Sequence, residues 1–155
     1  DQVLKTAFEK MTKDNPSIKL IVGPEGGYTA DPAFAGMQDI LQANKHIDVV
    51  VTVDQQALGA EKAIDDANRA GEMAIIGGGG AEPAVTAVKE GRWLATPNFA
   101  PRDEGREAME MAIIAARGGT VENPGRFSLD YSKAVRVVAQ DNAADWDGYT
   151  GQWKG

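Results

Sequence analysis

Residues 49–60 read Val-Val-Val-Thr-Val-Asp-Gln-Gln-Ala-Leu-Gly-Ala, and no other stretch constrains the fold of this chain so tightly. A β-branched run of the buried type stops at an acidic, amide-rich corner, and a helix of small residues starts at once. In an open α/β sheet, the corner outside a strand's carboxyl end is where ligands sit. One segment therefore predicts a strand, a helix and a binding position.

The flanking sequence repeats that alternation. Val3, Leu4, Ala7, Phe8 and Met11 share one helical face, so the chain opens in an amphipathic helix. Asn15-Pro16 closes it, because the residue before a proline avoids helical dihedrals. Residues 18–22 read as a strand, and Asp31-Pro32 supplies an N-cap and first-turn proline for a second helix. Its buried face is Phe34, Met37, Ile40 and Leu41. A strand at 47–53 and a helix at 56–70 follow, with Gly71 placed to cap that helix in a left-handed conformation. Residues 73–76 read as a third strand, followed by the four glycines 77–80. A short helix at 83–89 ends at Gly91, a fourth strand spans 92–96, and a long helix at 102–117 stops at Gly118-Gly119.

Four strand–helix units in a row predict an α/β fold: a parallel sheet with right-handed crossovers and helices on both faces. The pattern breaks after Gly119. Strands are expected near 127–129 and 134–138, and the polar tail carries Trp146, Tyr149 and Trp153, which need something to pack on. The expected division is therefore 1–119 as a ligand-binding lobe and 120–155 as a crossing segment and tail. Chains of this alternating type usually start on a strand, so a preceding strand and a whole lobe are expected beyond Asp1, with the tail aromatics packing there.

Charge and composition narrow the function. The chain has 155 residues, the size of one domain, and a net charge of −7 with no basic run, which argues against a nucleic-acid partner. No apolar run approaches the ~20 residues a membrane span needs. Cysteine is absent, which removes disulfides, thiolate catalysis and Cys-ligated zinc. His46 is the one histidine, so neither a histidine metal site nor a Ser-His triad is expected, and no cofactor is implied.

All four post-strand loops should open on one edge of the sheet. They carry Glu25 and Tyr28; Asp54, Gln55 and Gln56; the glycines 77–80; and Asn98 with Phe99. Amides, a carboxylate and aromatics suit hydrogen bonding and stacking on a small polyhydroxylated ligand, and the set is poor in catalytic acid–base pairs, so an enzyme is not expected. Each residue also has a plainer role. Asp54 reads equally as an N-cap, and Tyr28, Asn98 and Phe99 as packing at a sheet edge. The glycine run reads as an anion cradle at a helix N-terminus or as a turn needing positive φ. It lacks the Gly-Lys-Ser/Thr of a P-loop. Trp93 reads as core or lobe surface, His46 as an exposed loop residue, and Glu104, Glu107 and Glu110 as a solvated face.

At 54–60, Asp-Gln-Gln-Ala-Leu-Gly-Ala resembles the Asn-Asp-x-x-Ala-x-Gly-Ala corner of the type I periplasmic sugar-binding proteins, the receptors of ABC importers. The run 41–53, the strand 74–76 with its glycines, the segment 87–96 (Ala-Val-Lys-Glu-Gly-Arg-Trp-Leu-Ala-Thr), and Pro101 with Gly105 resemble the family in the same order. The resemblance covers roughly residues 1–140 and implies the C-terminal lobe of a two-lobed receptor. It implies a sugar or polyol held between lobes and a membrane permease as partner. The implied location is periplasmic, or extracellular and membrane-tethered. The ligand-binding set is expected to include Tyr28, Asp54, Gln55, Gly79, Asn98 and Phe99. Two positions depart: Val53 stands where the family has asparagine, and Gly79 where it has the aspartate of Gly-Phe-Asp-Gly. The alternative is the effector-binding core of a LacI-type transcription regulator, which shares the fold. A dimer of the chain through its tail or its lobe-facing surface is also expected.

Overall fold

The β-branched run at 49–51 forms a strand because its ladder partner is close in sequence and equally apolar. In a computed structural model, which describes residues 2–24, 27–99, 101–121, 137–146, 151 and 153–154, β1 (Val49–Val51) pairs in parallel with β2 (Ala74–Ile76), Val50 opposite Ile75. β2 pairs in parallel with β3 (Ala95–Pro97) through Ile76 and Ala95. β4 (Val137–Ala139) closes the sheet antiparallel to β3, with Thr96 opposite Val138. The order is β1-β2-β3-β4. The expected parallel α/β sheet is present, with an antiparallel strand added at one end.

The helices lie close to where their patterns predict them. They are α1 (Gln2–Asp14), α2 (Ala30–Ala43), α3 (Asp54–Asp66), α4 (Glu82–Lys89) and α5 (Pro101–Ala116). Met37 and Leu41 of α2 are buried, with Phe34 and Ile40 partly buried against the same core. Ala57, Ala60, Ala63 and Ile64 form the buried face of α3. The two helices pack closely at Gly59, where a Cβ would strike the Ala30 carbonyl. In α4, Ala84, Val85, Ala87 and Val88 are all buried, and Trp93, just beyond it, is wholly inside. Trp93 is therefore core, and its indole Nε1 has no hydrogen-bond partner among the described residues.

Four local details differ from expectation. The helix at 30–43 has Thr29, not Asp31, at its N-cap, with Asp31 inside the first turn. α3 ends earlier, at Asp66. Asn68, at φ 56°, takes the left-handed position, with Asn68 N–H bonded to Asp65 O (2.9 Å) and Arg69 N–H to Ile64 O (3.0 Å). That is a Schellman cap built on asparagine, and Gly71 (φ 79°) belongs to the turn after it. Residues 18–22 have no ladder partner among the described residues, and Ile18, Leu20 and Val22 are exposed, as are Val49 and Val51 on β1. An apolar run alone does not make a strand; a neighbouring edge must be in register. Finally, Glu107 is buried and Glu104 half-buried, which leaves Glu110 as the exposed member of the expected solvated face.

The strand expected at 127–129 lies outside the described residues. Of the one expected at 134–138, residues 137–138 fall in β4 and residues 134–136 lie outside the described residues. A 3-10 helix (Gln140–Trp146) follows, and the Gln140 side chain donates to the carbonyls of Gly91 and Trp93 at 3.0 and 2.9 Å. Of the three tail aromatics, Trp153 packs on the core just described rather than away from it.

Candidate functional site

The carboxyl ends of β1, β2 and β3 open on one edge, and the loops stay zipped beyond the strands. Asp54 N–H donates to Gly78 O (3.1 Å), Gly79 N–H to Pro97 O (2.9 Å), and Phe99 N–H to Gly79 O (3.0 Å). Gly79 and Asn98 form a further parallel bridge. The ladder thus brings the predicted Asp54, Gly79, Asn98 and Phe99 together.

Asp54 is fully buried. It is the first residue of α3, whose N-cap is Val53 with no side-chain cap, so Asp54 does not cap its own helix as the plainer expectation had it. Its Oδ1 accepts from Gly78 N–H (2.7 Å) and from the Thr96 hydroxyl (2.8 Å), and its Oδ2 from Ala81 N–H (2.7 Å). A buried carboxylate is tolerated only with such partners, and the α3 N-terminus adds a favourable dipole. Asp54 therefore fastens the end of β1 to the loop after β2 and to β3. It lies beneath the edge rather than on its surface.

The glycine run holds no free cradle. Gly77 N–H donates to Ala95 O (2.9 Å), Gly78 and Ala81 to Asp54, and Gly79 to Pro97 O. Gly80 N–H donates to the Thr96 hydroxyl (3.2 Å), and Glu82 N–H to Trp153 O (2.8 Å). Every backbone donor from Gly77 to Glu82 is used internally, which removes the anion-cradle reading. The turn reading stands: Gly79 has φ 142° and Gly80 φ 68°, and a Cβ on Gly77 would strike Asp54 and the Trp93 ring.

The outer surface of the edge is aromatic and amide-rich. Tyr28 is 67% exposed, Phe99 55%, and Gln55 half-buried. Asn98 is only 3% exposed, its side chain lying against Gly80. Gln56 accepts from the Thr52 hydroxyl and donates to the Gly27 carbonyl, which ties the Tyr28 loop to α3. Glu25 lies outside the described residues. His46 is exposed, beside Asp48 at 3.0 Å and away from the edge.

Three residues have roles here that the sequence did not reveal. Thr96 both donates to Asp54 and accepts from Gly80, a role its place at a strand end does not announce. Gln56 is a brace rather than a free amide. Trp153 donates from Nε1 to Gly79 O (2.9 Å), 74 residues away in sequence. The three large aromatics of the polar tail were the available signal, but nothing local says where Trp153 lands.

Residues 1–120 match the sequence model of the periplasmic binding protein domain family. The chain is 26% identical over 133 residues to the D-allose-binding periplasmic protein of Escherichia coli (strain K12), covering 85% of this chain and 40% of that protein. It superposes on an ABC transporter periplasmic solute binding protein from Actinobacillus succinogenes 130z with bound D-allose. The TM-score is 0.78 at 24% identity, over 88% of this chain and 46% of the other. An ABC transporter solute binding protein from Mycobacterium smegmatis with bound glycerol gives a TM-score of 0.73 at 31% identity, over 94% and 48%. The chain spans less than half the length of each.

Proposed function

Since the chain belongs to the periplasmic binding protein domain family, we propose that it is one lobe of the solute-binding component of an ABC importer, taking a sugar or related polyol without covalent chemistry. The observation that carries this reading is the strand-end edge. Three loops are locked together from beneath by Asp54, with exposed Tyr28 and Phe99 and the half-buried Gln55 on top. A preorganised edge of this kind limits the ordering cost of binding. The named relatives bind D-allose and glycerol, which fits a polyhydroxylated ligand.

In this reading Gln55 and Asn98 hydrogen-bond ligand hydroxyls, Tyr28 and Phe99 face its C–H surface, and Asp54 with Gly79 shapes the floor. The ligand is held between this lobe (1–119) and a second one, and residues 120–155 cross between them. A membrane permease receives the closed form. The relatives' names support a periplasmic location, and no helix among the described residues is long and apolar enough to cross a membrane. The LacI-type alternative draws nothing from those names.

Calorimetric titration of the full-length protein with aldoses and alditols tests the reading. Saturable one-site binding of a member of that panel, weakened by Phe99→Ala, is expected. Binding that Phe99→Ala, Gln55→Ala and Asn98→Ala all leave unchanged would place the ligand elsewhere.

A further inference from the structure

The C-terminal segment is anchored to the strand-end edge at three points. Trp153 Nε1 donates to Gly79 O, Trp153 O accepts from Glu82 N–H at the start of α4, and Gly151 (φ 89°) lies against the Gly80 carbonyl and Glu82 nitrogen so closely that a Cβ would not fit. The same Gly79 oxygen accepts from Phe99 N–H, so the indole and Phe99 converge on one atom of the edge. Trp153 is half-buried and packs against the core. Gly79 makes the room, since a Cβ there would lie 2.7 Å from the ring, and its φ of 142° already disfavours any side chain.

From this we infer that Trp153 is a ligand-contacting residue: the tail delivers an aromatic face to the edge at the one loop that has no side chains of its own. This deepens the solute-receptor reading above and rests on it. The glycine run offers no free amide donor, so what this part of the edge offers a ligand is the indole. An indole face favours a ring with a continuous apolar C–H surface, and with exposed Phe99 it forms an apolar corner. Trp153 thus biases the site toward cyclic sugars over open-chain polyols, and Gly79 acts as a positioning residue by leaving space for it.

The test titrates full-length protein with aldopyranoses (D-allose, D-galactose, D-xylose) and their open-chain alditols. Trp153→Ala is expected to weaken the best pyranose by about tenfold or more while changing alditol affinity little. Trp153→Phe, which keeps a ring, should recover most of the loss. Gly79→Ala should evict the indole and mimic Trp153→Ala, and the double variant should lose no more than either single one. An equal loss for pyranoses and alditols would mean that Trp153 only props up the loop, and would overturn the inference, as would unchanged pyranose affinity in Trp153→Ala. If the wild-type protein bound no member of the panel, the solute-receptor reading would fall and this inference with it.

Discussion

The Thr96 hydroxyl donates to Asp54 Oδ1 across 2.8 Å, joining two residues 42 positions apart inside the strand-end edge. Through it the start of α3 and the middle of β3 share one buried carboxylate, and the loop after β2 is drawn in by the Gly78 and Ala81 amides.

Asp54→Ala leaves the buried Ala81 amide and Thr96 hydroxyl, and the part-buried Gly78 amide, without this acceptor. With about 1–3 kcal/mol for each unsatisfied buried group, the variant should lose at least about 2 kcal/mol in urea unfolding. Asp54→Asn keeps one carbonyl oxygen and should lose less. If Asp54→Ala were as stable as wild type, the carboxylate would not be what fastens the loops.

At Gly59 the obstacle is backbone. A Cβ there meets the Ala30 carbonyl, which has no rotamer to escape into. Gly59→Ala should therefore push α2 from α3 and cost about 1–3 kcal/mol, despite alanine's better helix propensity.

Gly105, inside α5, meets nothing within 4 Å. Gly105→Ala should stabilise by about 0.5–1 kcal/mol, the opposite sign from Gly59→Ala. A thermal melt of the two variants side by side reads both signs, and a shared sign would contradict the packing described for α2 and α3.

Asn68 carries the left-handed position that closes α3. Asn68→Gly should hold or slightly raise stability, whereas Asn68→Ala should cost about 1 kcal/mol. Equal melting temperatures for the two variants would argue against the asparagine cap.

The legible part of this molecule was its periodicity. The apolar run 49–51, the small-residue face of α3 and the glycine stops mark strands and helices from local pattern alone, and their succession identifies the sheet. What pattern did not reveal was decided by distant partners. Residues 18–22 read as an apolar strand but find no edge to pair with among the described residues. Asn68 and Gly71 are both able to take a positive φ, and only the helix's actual last turn chooses between them. Asp54 was marked as the key residue of the corner, which it is, but from the inside. Residue type shows a carboxylate at a strand end; it does not show that Gly78, Ala81 and Thr96 surround it. Trp153 is the extreme case, since its seat on Gly79 depends on a tail whose course no local pattern sets.

The most direct measurement is a crystal structure of the full-length protein with the tightest-binding aldose or alditol of the panel. The account predicts ligand density across Gln55, Asn98 and Phe99, with Asp54 still bonded to Gly78, Ala81 and Thr96 beneath it. A ligand bound away from this edge, or an Asp54 carboxylate released from those three donors to grip the ligand, would contradict it.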